Sequence, residues 1–464
     1  MHTRLASACE VPKRNGVKGH IIHPVRLVPA LFLLAIGIGT ALLCIPYARA
    51  GPGGAPVLTA LFTATSAITV TGHVVVDTGS YWTPFGQGVI LALIQVGGLG
   101  IVSAGVLLGM LAGRDFRLRD RMTTHAERGN LSGAETRSIL RLVLAVTLFV
   151  EIGVAAIIAA RLLTCYGESW GDALWNGVFH GVSAFNNAGF STYPDSLMRF
   201  GSDALVLVPV MLAVIIASLG FPVLQELRVR TATAFHSERR RWSLHAKITL
   251  IGTAVLLLGG WVAIAAAEWR NPGTLGSMTV GDKLLNSLFH SVMPRTAGFN
   301  SLNVGEFETD TLLVNYVLMF VGGGSAGTAG GVKITTFAIL LLAVRSEIRG
   351  QRDVTFRSRR VSTRIERQAL TVVMIATLLI LLGTMIILAV TDLPLAPVAF
   401  EVISAFSTVG LSTGLTAGLP PPALLTLIAL MFVGRVGTIT AATALALSSS
   451  RRPTRYPEEN PIVG

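Results

Sequence analysis

One glycine-centred phrase occurs four times in this 464-residue chain, at intervals of roughly a quarter of its length. The four copies read FTATSAITVTG (62–72), FHGVSAFNNAG (179–189), FHSVMPRTAG (289–298) and FEVISAFSTVG (400–410). Each copy begins with Phe, and three of them carry Ser six residues before the glycine. A phrase repeated at a regular interval indicates copies of one structural unit. The chain is therefore predicted to fold as four similar units.

Each phrase lies between long apolar segments. Hydrophobic residues make up 52% of the chain and charged residues only 13%, whereas soluble domains carry about 25% charged residues. Runs of about 20 apolar residues suit a hydrocarbon core of about 30 Å. The runs cover 27–47, 86–112, 139–163, 204–224, 248–267, 311–321, 334–344, 368–391 and 422–448. These features predict an all-α polytopic membrane protein with about eight spanning helices.

The semi-polar segments that precede the glycines are too short to span a bilayer. They cover 57–69, 172–185, 281–293 and 397–407, with starts placed at Pro56, Asp172, Asp282 and Pro397. At 1.5 Å per residue each would be roughly 20 Å long. We interpret them as four short pore helices that enter the membrane from outside and turn back at the glycine. Non-helical backbone at that depth must be buried in protein or line water, which four turns around one pseudo-fourfold axis would achieve.

The net charge of +12 is concentrated between the apolar segments. Positive loops favour the cytoplasmic side, so both termini and three basic loops are predicted there, next to membrane lipids. The first residues lack the apolar core of a signal peptide, and a nucleic-acid partner is not indicated because the charge lies on no soluble face. The predicted regions are an N-terminal tail 1–24, unit 1 25–113, a basic loop 114–136, unit 2 137–228, a basic loop 229–242, unit 3 243–344, a basic loop 345–366, unit 4 367–449 and a C-terminal tail 450–464.

The four glycine turns have the chemistry of a cation filter. Rings of backbone carbonyls can replace the hydration shell of a cation, and glycine adopts backbone angles that let successive carbonyls point inward. A site without formal charge would favour a weakly hydrated monovalent ion. The alternative is that the glycines only end helices. The candidate filter residues are Val70, Thr71, Gly72, Asn187, Ala188, Gly189, Thr296, Ala297, Gly298, Thr408, Val409 and Gly410.

The phrases ITVTG, SAFNNAGFST, RTAGFNS and STVGLSTG, together with the four-unit plan, resemble the Trk/Ktr/HKT superfamily of potassium transporters over nearly the whole chain. No additional helix pair precedes unit 1, which is more similar to the membrane subunit of the Ktr branch (KtrB) than to TrkH. The resemblance implies potassium uptake across a bacterial cytoplasmic (inner) membrane, and Gly72 implies potassium because sodium-preferring plant relatives have serine there. It also implies a homodimer and a cytosolic RCK-type, KtrA-like octameric ring that binds nucleotide. This chain would hold no cofactor, potassium would be the substrate, and sodium stays open as an activator.

Residues 321–333 interrupt an apolar segment with six glycines. Each glycine costs about 1 kcal/mol in a helix relative to alanine, so a loop is predicted partway along a spanning segment. It is not a P-loop, because Val332 separates the last glycine from the lysine. The resemblance implies that this glycine-rich loop is a gate. The candidate gate residues are Gly322, Gly323, Gly324, Ser325, Ala326, Gly327, Thr328, Ala329, Gly330, Gly331, Lys333 and Arg435.

Several polar residues in the apolar units are given local roles. Arg435 is expected to face the cavity and pair with loop carbonyls or Glu401, since ionisable groups at membrane depth usually face the protein interior. His180, His290 and Glu401 each follow the phenylalanine of a unit and are interpreted as structural hydrogen-bonding groups. His73 is interpreted as a side chain facing the outer vestibule, with titration near the filter mouth as the alternative.

Two other transporter hypotheses remain at this point. A sodium-permeable or sodium-coupled transporter could use the same scaffold. A secondary carrier with broken helices would also contain glycine breaks, but it predicts two large halves. An enzyme is not predicted, because the sequence contains no nucleophile–base or metal constellation.

Overall fold

A computed structural model describes residues 24–100, 133–233, 242–351, 353–356 and 359–437. The helices of units 1 and 2 are α1 Pro24–Leu43, α2 Val57–Ile68, α3 Thr78–Tyr81, α4 Pro84–Gly100, α5 Gly133–Arg161, α6 Trp170–Phe185, α7 Ala204–Leu219 and α8 Phe221–Thr233. Those of units 3 and 4 are α9 Leu244–Glu268, α10 Val280–Val292, α11 Thr309–Phe320, α12 Ile334–Ile348, α13 Thr363–Ala389, α14 Leu395–Phe406 and α15 Pro421–Phe432. An antiparallel hairpin of β1 Thr355–Phe356 and β2 Arg359–Arg360 lies between α12 and α13.

Each unit has the predicted order of a spanning segment, a short pore helix and a second spanning segment. The first segment is called the outer helix here, and the second the inner helix. The pore helices are α2, α6, α10 and α14, and each packs against the outer helix of its own unit, which is α1, α5, α9 or α13. The inner helices are α4, α7, α11 with α12, and α15. The four pore helices lie within two residues of the segments read from the sequence.

The units are arranged in a closed cycle. Pore helix α10 packs against the inner helix α7 of the preceding unit, and α14 packs in the same way against α11. The cycle closes because α2 packs against α15, the inner helix of the last unit. Between units 1 and 2 the indole of Trp175 donates a 2.7 Å hydrogen bond to Gln87. All four pore helices are therefore held around one axis.

Three of the pore helices begin earlier than expected, and the largest differences are two residues, at α6 and at α14, which starts at Leu395. α6 starts after Ser169, whose hydroxyl accepts from the backbone N–H of Asp172, and α10 starts after Thr279, which accepts from Asp282. The two aspartates are thus third residues of capping boxes rather than helix starts. Residues 170–171, 280 and 395–396 are therefore helical, although the sequence interpretation placed them before the pore helices.

Within the described residues, the inner helices of units 2 and 3 are broken. α11 ends at Phe320 and α12 begins at Ile334, so the glycine-rich loop 321–333 interrupts unit 3 as predicted. The second break was missed, since the sequence interpretation treated 204–224 as one apolar run. There α7 ends at Leu219, Gly220 has a φ of +85°, and α8 leaves at an angle of 100°.

The distribution of side chains is that of a protein in lipid. Phe149 on α5 is 81% exposed and Met374 on α13 is 61% exposed, whereas Asn187, His290 and Ser404 are buried in the interior. Three helices of the described chain are long and apolar enough to cross a membrane alone, namely Arg141–Tyr166, Leu244–Glu268 and Thr363–Ala389, and the bent α7–α8 pair would make a fourth. The shorter inner segments are the interrupted helix of unit 3, the helix α4, which runs to the limit of the described residues at Gly100, and the helix α15, which continues as a π-helical turn Val433–Gly437 to the next limit.

Candidate functional site: a closed ring of glycine turns

The chain leaves three of the pore helices by the same backbone turn. The second residue before the glycine has a positive φ, which is 55° at Val70, 59° at Asn187 and 49° at Thr408. The residue that follows it donates its N–H to the carbonyl of the serine five residues earlier, at 2.7 to 2.9 Å. In units 1 and 4 that serine (Ser66, Ser404) also accepts from the glycine N–H at 3.1 Å through its hydroxyl. The repeated serine therefore fixes the turn.

The third unit makes its turn differently because its phrase is one residue shorter. Thr296 has an extended φ of 162°, and the N–H groups of Ala297 and Gly298 both donate to the carbonyl of Met293, at 3.0 and 3.3 Å. Arg295 and Met293 are buried in this tighter turn. The shorter phrase of unit 3 therefore changes the path by which the backbone reaches its glycine, Gly298.

The four glycines form a closed ring. A methyl group placed on Gly72 would lie 2.2 Å from the carbonyl oxygen of Ala188, and one on Gly189 would lie 2.3 Å from that of Ala297. The ring continues with Gly298 against Val409 and closes with Gly410 against Thr71, each at 2.1 Å. Each glycine thus contacts the carbonyl that precedes the glycine of the next unit. Glycine is required at all four places because any side chain would meet backbone that cannot move aside.

The ring is lined by backbone groups of uncharged residues. All twelve predicted filter residues lie in its four turns, and most of them are fully buried. The contacts between neighbouring units at the ring are therefore made by uncharged backbone.

The side of the ring on which the chain leaves the glycines is called the outer side here, and the opposite side, where the glycine-rich loop lies, the inner side. On the outer side, one polar residue on each of three pore helices binds the chain that follows the glycine. His180 lies 2.9 Å from the hydroxyl of Ser191, just after Gly189. His290 accepts from the backbone N–H groups of Ser301 and Leu302 at 3.3 and 3.2 Å. These contacts agree with the interpretation of both histidines as structural hydrogen-bonding groups.

Glu401 performs the same task in unit 4. Its carboxylate accepts from the hydroxyl of Ser412 at 2.7 Å, the backbone N–H of Thr413 at 2.9 Å and the hydroxyl of Thr416 at 2.6 Å. The expectation that Glu401 pairs with Arg435 is wrong, because these outer-side donors occupy the carboxylate. Arg435 instead donates to the hydroxyl of Thr408 at 3.4 Å.

His73 does not face a vestibule. Its side chain is fully buried, with Nδ1 located 3.5 Å from Oε2 of Glu401 and 3.4 Å from the hydroxyl of Thr416. The interpretation of a solvated side chain at the mouth is therefore wrong. His73 follows the glycine of unit 1 and contacts the pore helix of unit 4, so it joins the first and last units.

The glycine-rich loop lies against the inner side of the ring and the broken end of α7. On one side Gly324 N–H donates to the carbonyl of Ser218 at 2.8 Å, and Thr328 N–H donates to that of Ala217 at 3.3 Å. In return Phe221 N–H donates to the carbonyl of Ala326 at 3.3 Å. The loop thereby supplies donors to carbonyls at the end of α7 that have no partner within the helix.

On its other side the loop reaches the turn of unit 4. A methyl group on Gly330 would lie 2.2 Å from the carbonyl oxygen of Ser407 and 2.0 Å from the hydroxyl of Thr408. Lys333, at the end of the loop, donates back to the carbonyl of Ala329. The predicted gate residues therefore come together directly beneath the ring, between units 2 and 4, and Arg435 contacts the same Thr408 hydroxyl.

Ser218 and Gly220 were missed by the sequence interpretation. The signal was present, because Gly220 is followed two residues later by Pro222, an arrangement typical of a helix end. Hydropathy alone does not indicate the break at Gly220, because the apolar run continues on both sides of it.

Four re-entrant helices whose turns meet in one ring define a pore-loop membrane protein. Comparisons with known proteins agree. The family of cation transport proteins named TrkH matches residues 38–452. Ktr system potassium uptake protein B of Bacillus subtilis is 36% identical over 452 residues, which cover 96% of this chain and 99% of that protein. Potassium/sodium uptake protein NtpJ of Enterococcus hirae is 33% identical over 450 residues, covering 96% and 98%.

A solved structure shows the same fold. The potassium transporter TrkH from Vibrio parahaemolyticus matches with a TM-score of 0.71 at 16% sequence identity, covering 95% of this chain and 87% of that one. The chain belongs to the TrkH family of cation transport proteins. It is accordingly a multi-pass membrane transporter and not an enzyme.

Proposed function

We propose that this protein takes up potassium through the ring of glycine turns. The observation that carries the proposal is the closed cycle of glycine-to-carbonyl contacts through Gly72, Gly189, Gly298 and Gly410. Each contact involves backbone at the end of a pore helix, which restricts the size of the ring. A ring of fixed carbonyls without formal charge suits a monovalent ion that loses its water readily. The names of the relatives from Bacillus subtilis and Vibrio parahaemolyticus support potassium as that ion.

The glycine-rich loop is the gate in this proposal. It lies across the inner side of the ring, and three backbone hydrogen bonds to the α7–α8 break would have to be exchanged when it moves aside. Arg435 and Lys333 bring positive charge close to the same region. A fixed positive charge on a cation path raises the energy of an ion there, which favours the closed state while the loop is in place.

We place both termini and the three basic loops in the cytoplasm, following the charge distribution. The hairpin β1–β2 belongs to the third basic loop, where Arg360 pairs with Asp353 at 2.8 Å. A separate nucleotide-binding subunit would dock on this side, and the chain would work as a homodimer. The word "system" in the name of the Bacillus subtilis relative supports a multi-component transporter.

A second candidate is transport of sodium as well as potassium. It is favoured by the likeness to the potassium/sodium uptake protein of Enterococcus hirae. The two candidates differ in whether sodium competes for the ring or passes through it.

Growth of a potassium-uptake-deficient bacterium at low potassium tests the proposal. We expect the chain to restore growth when it is expressed with a cognate nucleotide-binding subunit, and rubidium to compete more strongly than sodium. Gly37→Ala is a suitable control variant, because a methyl group there would meet open space. Failure to restore growth, with the chain present in the membrane, would overturn potassium uptake. Equal competition by sodium would favour the second candidate.

A further inference from the structure

Ser218 contacts the ring and the glycine-rich loop at the same time. Its hydroxyl accepts a 3.0 Å hydrogen bond from the side-chain amide of Asn187 and lies 3.4 Å from the hydroxyl of Thr296. Its backbone carbonyl accepts from Gly324 of the loop at 2.8 Å. Ser218, at the broken end of α7, therefore contacts two glycine turns through its hydroxyl and the glycine-rich loop through its carbonyl.

The upper contacts form a buried triangle between units 2 and 3. The Asn187 amide donates to Thr296 at 2.8 Å as well as to Ser218. Asn187 is the residue with a φ of +59° on which the second turn depends. The corresponding residues of units 1 and 4 are Val70 and Thr408, so this amide-centred triangle belongs to units 2 and 3 alone among the described turns.

The contacts on the side of the glycine-rich loop bind that loop to the backbone at the end of α7. A methyl group on Gly220 would lie 2.4 Å from the carbonyl oxygen of Ser325, so loop and break interlock without space between them. If the loop moved away, the carbonyls of Ala217 and Ser218 would lose the N–H donors of Thr328 and Gly324. Unpaired carbonyls at a helix end re-form bonds by changing the last turn of the helix, and Ser218 lies in that turn.

We propose that Ser218 is a positioning residue that couples the glycine-rich loop to the ring, so that displacement of the loop changes ion discrimination at the second and third turns. This inference rests on the proposed function and deepens it. A shift of Ser218 alters the Asn187–Thr296 pair, which in turn sets the positions of Ala188 and Ala297. Selectivity and gating are then linked properties of this protein.

A double-mutant cycle tests the coupling. The variants are Ser218→Ala, deletion of 324–329, which removes both Gly324 and Thr328, and the two changes together, in the chain reconstituted in proteoliposomes. Ser218→Ala removes only the hydroxyl and leaves the carbonyl that binds the loop. The measured quantity is the ratio of rubidium to sodium flux. Thr147→Val is the matched control, because Thr147 on α5 is a buried threonine whose hydroxyl has no hydrogen-bond partner among the residues that the structure describes.

We expect Ser218→Ala to lower the flux ratio about fivefold, the effect of one hydrogen bond of about 1 kcal/mol. The deletion should lower it in the unmodified background and add nothing to Ser218→Ala. Thr147→Val should leave it unchanged. Ser218→Cys has a similar volume and a weaker hydrogen-bonding group, so it should give an intermediate flux ratio. If the Ser218→Ala variant does not fold, Ser218→Cys replaces it in the double-mutant cycle.

Independent effects would overturn the coupling. If the fold-changes of the two alterations multiply, or if Ser218→Ala has the unmodified ratio, Ser218 does not link loop and ring. Either result would leave the proposed function intact so long as the unmodified protein prefers rubidium to sodium. Lack of preference in the unmodified protein would refute the filter itself.

Discussion

The outer and inner sides of the glycine ring are stabilised by different chemistry. On the outer side His180, His290 and Glu401 occupy one repeated position on their pore helices, and each binds the chain that leaves the ring. On the inner side the contacts are not repeated, since the loop of unit 3 joins the break of unit 2 to the turn of unit 4. Duplication thus built the support of the ring, and the departures from symmetry lie where a gate would act.

In unit 1 the polar contact on the outer side is made by a different residue than in the other units. Its residue after the phenylalanine is Thr63, which is smaller than the histidines and the glutamate at that place. His73 instead reaches from unit 1 to Glu401. The outer support is therefore continuous across the junction of the first and last units.

The largest expected effect is at the ring itself. Gly189→Ser would place a side chain 2.3 Å from the carbonyl of Ala297 and strain a positive φ of 68°. We expect the rubidium-to-sodium flux ratio to fall about 100-fold, or about 2.7 kcal/mol, in proteoliposome flux measurements. Gly153→Ser, where a methyl group meets nothing within 4 Å, is the control. An unchanged ratio would remove the second turn from the filter.

The next effect concerns the inner side. Deletion of 325–329 removes Thr328, which donates to Ala217 at the end of α7, and Ala326, which accepts from Phe221 at the start of α8. The loss of two hydrogen bonds of about 1 kcal/mol each should favour the open state and raise rubidium flux about 30-fold. Purified protein with an unaltered unfolding temperature but the original flux would show that the loop is only a structural interruption.

A smaller effect is expected on the outer side. Glu401→Gln keeps an oxygen for Ser412 and Thr413 but turns an amide toward Thr416 and His73. We expect a loss of about 1 kcal/mol in the free energy of unfolding, measured by thermal unfolding in detergent. Glu347→Gln, an exposed carboxylate on α12, should unfold like the unmodified protein. If Glu401→Gln does the same, the outer support does not depend on the carboxylate.

The smallest effect is expected at the exposed ion pair that follows the second turn. Asp195 and Arg199 form a partly exposed ion pair at 2.9 Å beyond the second turn. Exposed pairs contribute about 0.5 kcal/mol or less, so Asp195→Asn should leave unfolding and flux almost unchanged, also at low salt. A marked drop in flux at low ionic strength would instead indicate that the carboxylate attracts cations to the ring.

The fold was predictable from the sequence where a local signal repeats. The four phrases gave the pore helices nearly to the residue, and six glycines located the interruption at 321–333. The break at Gly220 was overlooked because an apolar run has the same composition whether its helix is straight or bent. The starts of α6 and α10 were misplaced because Ser169 and Thr279 lie outside the apolar pattern.

The sequence by itself determined that four units exist, that each turns on a glycine, and that the third inner helix is broken, because these depend on local backbone preference and on repetition. Only the tertiary structure decided which residues meet. His73 contacts Glu401 across most of the length of the chain, and Ser218 joins Asn187, Thr296 and Gly324 from three segments. Such contacts follow from the closure of the units into a ring, which sets distances that no local pattern contains.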